Sequence, residues 1–107
     1  MIMKLGIVIS TNDPETAWNA YRLANFAATE GDDVKVFLLG KGVESEIEHS
    51  EYNVKEQISK FTKSGHIYAC GTCLKSRQME GSDTCPVSSM ENLYQIIKEC
   101  DKVVNFG

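Results

Sequence analysis

Cys70, Cys73 and Arg77 stand within the segment 66–77, HIYACGTCLKSR, with the spacing of a reactive thiol pair followed by a cation. Cys70 closes a short apolar run, Cys73 comes three residues later, and Arg77 follows Cys73 by four. If a strand ends at Cys70 and a helix begins there, the free N–H groups and the positive end of that helix would favour a thiolate. Gly71 keeps the approach open. On a helix, a spacing of three brings the two Cα atoms within about 5 Å, inside the range that a disulfide tolerates. Arg77 would share a face with Cys73 and could supply positive field or bind an anionic partner. Three chemistries fit these types: a sulfur-handling thiolate, a redox disulfide, or half of a metal site.

The energetics distinguish what a lowered thiol pKa would achieve. A fall from about 8.5 to about 6.5 raises the thiolate fraction at pH 7 roughly 25-fold, but intrinsic nucleophilicity drops roughly 6–10-fold. Attack therefore gains little. The greater gain is in leaving-group ability, which suits a thiol that receives sulfur and gives it away.

Two further cysteines complete the set. Cys85 precedes Pro86, so its backbone is biased to extended form, in a loop that could fold back over the Cys70 helix. It is a further candidate reactive thiol. Cys100 shares an apolar stripe with Leu93 and Ile97 and reads as core. Zinc would require a second close pair of Cys or His, which the chain does not offer, so neither metal nor cofactor is expected. A thioredoxin-like CxxC would come early, with a Trp beside it and a proline facing it from far downstream; here the motif lies late and Pro86 follows closely. His49 and His66 are not assigned as bases, since His66 should open its strand at the end opposite Cys70. The loop STND could cradle a phosphate at a helix start, but it lacks a Gly-rich pattern.

These residues need elements to hold them. Residues 3–9 are apolar and β-branched, as in a strand buried on both faces. Asp13 can cap a helix that Pro14 opens, with Ala17, Ala20, Tyr21, Leu23, Ala24, Ala27 and Ala28 on its inner face and Gly31 at its end. Residues 34–39 read as a second strand. An acidic connection follows, with one short helix around Val43 and Ile47. Asn53 and Glu56 resemble a capping box for a helix carrying Val54, Ile58 and Phe61 inward. Residues 66–69 form a third strand, 71–79 a short helix that opens at Cys70, and 80–86 a loop. Ser88 and Glu91 predict the cap of a last helix, and residues 102–106 a last strand. Strands alternate with helices throughout, which predicts an α/β fold with a mainly parallel sheet of four to five strands and helices on both faces, flavodoxin-like in layout. In such sheets, sites form past the C-terminal strand ends, where both the STND loop and the Cys70 motif would lie.

The bulk composition sets limits. A length of 107 residues suits a single domain over 1–107, and 42% hydrophobic residues suffice for a core without staples. The net charge of −4, with no basic cluster, argues against nucleic acid as partner. The apolar runs are far shorter than a membrane span needs, and the N-terminal run reads as a strand, not a signal peptide. A cytoplasmic location is expected, where thiols stay reduced and four cysteines suggest chemistry before structural disulfides.

The order strand, NDPETAWNAYRLANFA, strand, LLGKGVE and strand-ACGTCLKSR resembles the DsrE/DsrF-like family of small sulfur-relay proteins over nearly the whole chain. Cys70 and Arg77 match its cysteine at a central strand end with Arg seven residues on; many members continue with Gly, where this chain has Gln78. The resemblance implies a three-layer α/β/α domain that assembles as a homo-oligomer, a trimer or hexamer. It also implies a persulfide on Cys70 in members that transfer sulfur. The function expected is that of a sulfur carrier or sulfurtransferase-type subunit whose donor and acceptor proteins are unknown. The alternative is a non-catalytic binding or redox-regulatory subunit with reactive cysteines.

Overall fold

The computed structural model describes residues 2–46 and 49–107. Strands β1 (Lys4–Ile9), β2 (Asp33–Leu38), β3 (His66–Cys70), β4 (Val87–Ser88) and β5 (Lys102–Phe106) form one sheet in the order β4-β3-β2-β1-β5. Every pairing is parallel. Helices α1 (Pro14–Thr29), α2 (Val54–Phe61), α3 (Gly71–Ser76) and α4 (Met90–Glu99) connect them, with a 3-10 helix at Gly40–Glu44. The result is the α/β/α sandwich that the alternating pattern predicts.

Local chemistry explains the boundaries of α1. The Asp13 carboxylate accepts hydrogen bonds from the Thr16 N–H and hydroxyl, both at 2.9 Å, and Pro14 occupies the first turn. Gly31, at φ +89°, provides the left-handed residue that lets the chain turn off the helix. The buried face is Ala17, Ala20, Tyr21, Ala24 and Ala27. Small residues there let the helix lie close on the sheet, while Leu23, expected inside, is exposed.

The two sheet faces are served unequally. Leu5, Ile7 and Ile9 share one face of β1 and register with Val34, Val36 and Leu38. Tyr21 of α1 and Phe61 of α2 approach each other within 6.3 Å between ring centroids. Val54, Ile58 and Phe61 seal that layer. On the opposite face, Gly6 leaves room for α4: a Cβ there would come 2.8 Å from Ile96 and 3.3 Å from the Cys100 sulfur. The inward stripe of α4 is thus Leu93, Ile96 and Cys100. Ile97, expected inside, points outward with 53% exposure, because α4 is seated one position away from the expected phase.

Three other differences concern the connections. The short helix expected around Val43 and Ile47 is the 3-10 helix Gly40–Glu44, and Ile47 lies outside the described residues. The last helix is capped by Ser89 with Asn92, not by Ser88 with Glu91, since Ser88 is drawn into β4. Strand β4 was not expected, because two residues carry no periodicity; pairing of Val87 and Ser88 with Ala69 and Cys70 creates it. Gln78 has φ +55°, the left-handed conformation that favours Gly, so the backbone keeps the turn and the side chain is tolerated in it.

The 3-10 helix is pressed against the end of β1. A Cβ on Gly42 would lie 1.8 Å from the carbonyl oxygen of Ile9. Neither partner is a flexible side-chain end. Gly42→Ala should therefore cost about 2–3 kcal/mol or prevent folding, measured by urea unfolding, whereas an alanine at exposed Ser59 should leave stability within about 0.5 kcal/mol.

Candidate functional site

The site lies at the C-terminal end of β3. Cys70 is the last residue of that strand and stands at the N-cap of α3. It is only 2% exposed. Cys73 sits on α3, half-buried, three residues after Cys70, and its thiol acts on that of Cys70. Both sulfurs are free thiols. The Gly40 N–H, from the loop after β2, donates to the Cys73 sulfur at 3.2 Å.

Opposing influences act on Cys70. Burial pushes its pKa up, and the neighbouring Cys73 thiol adds to that; the amides of Cys73 and Thr72 pull it back. The net direction is upward. The expected thiolate at a helix start is thus outweighed by desolvation. The physical reason is that α3 spans only six residues and closes no side-chain capping bond at Cys70, so its end supplies little field.

Arg77 joins the 3-10 helix to α3. Its guanidinium pairs with the Glu44 carboxylate and also donates from Nη1 to the Cys73 carbonyl at 3.2 Å. Its charge stands beside the pair but is engaged by Glu44. Glu44 and Gly40 were not read from the sequence as site residues. Each lies 33 positions from its partner, and no local pattern signals such a contact.

Ser88 was also missed as a site residue. It registers beside Cys70 in the parallel β3–β4 pair, so the two side chains share a sheet face. Its hydroxyl is buried and has no hydrogen-bond partner among the described residues.

Cys85 is buried on the loop that follows α3. It borders a cavity of about 80 Å³ together with Leu38, Val43, Glu46, Ala69 and Leu74 of α3. Burial, then the charge of Glu46, pushes Cys85 up to about 12. Tyr21 is fully buried nearby, raised by burial first and then by Cys85 and Glu46, with the Ser45 hydroxyl pulling it back.

The STND loop is committed to its own structure. The Asp13 carboxylate occupies the start of α1, with its pKa lowered by the Thr16 amide and hydroxyl, where a phosphate would have to bind. His49 accepts N–H bonds from Glu51 and Tyr52, and His66 stacks on Tyr68. Trp18 packs edge-on against Tyr52 with Arg22 over its ring. Among the described residues, no three His, Cys, Asp or Glu side chains converge as metal ligands, and no helix is long and apolar enough to cross a membrane.

Residues 3–106 match the DsrE/DsrF-like family. The chain belongs to that family. An uncharacterised protein of Methanocaldococcus jannaschii is 34% identical over 115 residues, spanning 97% of this chain and 100% of the relative. Another uncharacterised protein, from Methanopyrus kandleri, is 31% identical over 100 residues, spanning 86% of this chain and 83% of the relative. Membership in the DsrE/DsrF-like family supports a sulfur-relay role at the level of the family. In this DsrE/DsrF-like chain the fold gathers Cys70, Cys73 and Arg77 and buries Cys85 beside Leu74 of the same helix.

The position of Cys85 has a pH consequence. Its thiol ionises near 9.0 in the ordinary state and at about 12 in the fold. A raised folded value stabilises the protein fully below the unfolded pKa and loses that contribution as pH rises through the folded one. The unfolding free energy should therefore fall between about pH 9 and about 12, and Cys85→Ala should flatten part of that fall. Native protein treated with iodoacetamide at about pH 8 should retain an unmodified Cys85 until it is denatured.

Proposed function

We propose that this protein is a sulfane-sulfur carrier, a sulfurtransferase-type subunit in a relay, with Cys70 bearing the persulfide. The observation that carries the reading is the placement of two free thiols, Cys70 and Cys73, where a central parallel strand ends and α3 begins. In open α/β sheets that edge is where ligands bind. The family's sulfur-relay character supports the same reading. Cys73 can accept or displace sulfur held by Cys70. Arg77 and Glu44 fix the backbone on which Cys73 stands. Cys85 would contribute only after an opening that exposes it. The proposal assigns the chain to the cytoplasm, where both thiols stay reduced, and gives it donor and acceptor proteins that are thiol or persulfide bearers.

A redox-regulatory module is the second reading, since two neighbouring thiols can also close a disulfide. Intact-mass measurement separates the two. After incubation with a cysteine desulfurase and cysteine, the wild-type chain should gain one sulfur atom that maps to the pair, and the double variant Cys70→Ser, Cys73→Ser should gain none. A wild-type chain that gains no sulfur from any donor, yet forms a disulfide under mild oxidant, would favour the redox module.

Self-association belongs to the same proposal. Met90, Tyr94 and Ile97 follow one another along the outer side of α4 at 57%, 58% and 53% exposure. An apolar stripe of that kind suits burial against further copies of the chain in a trimer or hexamer. Light scattering at micromolar concentration should report a multiple of the chain mass, and Ile97→Glu should shift it toward the monomer. A monomeric wild-type protein would refute the assembly.

A further inference from the structure

The two thiols of the pair differ in access, and their surroundings differ in kind. Cys73 is half-buried, with the Gly40 N–H aimed at its sulfur from 3.2 Å. An N–H donor at that distance supports the negative charge a sulfur carries while it attacks or leaves. Cys70 is 2% exposed. Beside Cys70, in register on β4, the Ser88 hydroxyl is buried without a partner among the described residues. A buried hydroxyl left unpaired carries a desolvation penalty that a bound group could relieve.

We infer that Cys73 is the receiving thiol, that Cys70 is the protected store, and that Ser88 hydrogen-bonds the stored sulfur. This rests on the sulfur-carrier reading above and assigns an order within it. In the first step the Cys73 thiolate attacks the terminal sulfur of a donor persulfide, R–S–SH. The donor S–S bond breaks, the donor leaves as its thiolate, and Cys73–S–SH forms. In the second step the Cys70 sulfur attacks the outer sulfur of Cys73–S–SH. The Cys73 S–S bond breaks, Cys70–S–SH forms, and the proton of the Cys70 thiol ends on Cys73. The transferred atom remains sulfane sulfur throughout, so neither step needs an oxidant or reductant.

The order explains why both thiols and the orphan hydroxyl coexist. A donor protein can reach a half-buried sulfur, whereas a 2% exposed one must wait for local opening. Once on Cys70, the persulfide is shielded from solvent thiols, and the Ser88 hydroxyl gains the partner it lacks. The competing attack of Cys73 on the inner sulfur would form a Cys70–Cys73 disulfide and release hydrosulfide, with the sulfane sulfur reduced and both thiols oxidised.

Time-resolved loading with inorganic polysulfide tests the assignment. Aliquots are quenched by alkylation, and the added sulfur is located by intact mass and peptide mapping. In the wild type it should appear first on Cys73 and then on Cys70. Cys73→Ser and Cys73→Ala should load Cys70 about tenfold more slowly or worse, because access then waits on opening, yet hold the sulfur longer once it is there. Cys70→Ser should still load Cys73 and pass the sulfur no further. Ser88→Ala should shorten the life of the Cys70 persulfide several-fold. Circular dichroism checks that each variant is folded. Loading of Cys70 at the wild-type rate in both folded Cys73 variants would overturn the order while leaving the carrier reading intact. An unchanged persulfide lifetime in Ser88→Ala would remove Ser88 from the store. A wild-type chain that takes up no sulfur would overturn the carrier reading, and the order with it.

Discussion

The approach of the Gly42 backbone to the Ile9 carbonyl is the contact on which the site depends. Only a residue without a side chain allows it, since a Cβ would overlap the carbonyl oxygen. Ile9 also accepts the N–H of Leu39 at 3.0 Å, and Gly42 donates to Leu39 at 2.9 Å. The end of β1 therefore holds the start of the 3-10 helix in place. From that position Gly40 reaches the Cys73 sulfur and Glu44 reaches Arg77. The segment thus ties the sheet edge to α3 through backbone contacts at one end and an ion pair at the other. The ion pair is partly solvent-exposed and adds at most about 1 kcal/mol. The close backbone contact sets the geometry, and the charges refine it.

Burial decides how the thiols differ. At Cys70, two amides favour the thiolate, but desolvation and the neighbouring thiol outweigh them. At Cys85 no amide or cation compensates burial, and Glu46 adds to it. Cys73 is half-buried and has an N–H donor from a different segment. The same residue type thus occupies three environments within one small domain. Where a strand end meets a short helix, being buried matters more than standing at the helix start, because six residues supply little field and the sheet removes most of the solvent.

The sequence by itself determined the alternation of strands and helices, the parallel sheet and the proximity of Cys70 to Cys73. Those features follow from local causes: apolar runs for strands, Asp13–Pro14 and Asn53 for helix starts, Gly31 for a helix end, and a spacing of three for the thiols. It also carried the family, because the CGTC segment and the cation seven residues after Cys70 are contiguous. Local pattern had less hold on α4, where Ile96 and Ile97 are adjacent and only the fit against Gly6 selects which one is buried. What only the tertiary structure decided depends on contacts between distant segments. Two-residue β4 exists because β3 offers it partners, and that pairing draws Ser88 out of its expected capping role and sets it beside Cys70. Gly40 and Glu44 meet α3 across 33 positions. The loop expected to fold back over the Cys70 helix buries Cys85 beside Ala69, Leu38 and Leu74 of α3. Solvent exposure is a property of the packed whole, so the environment that distinguishes one cysteine from another appears only once the sheet, the 3-10 helix and α3 have come together.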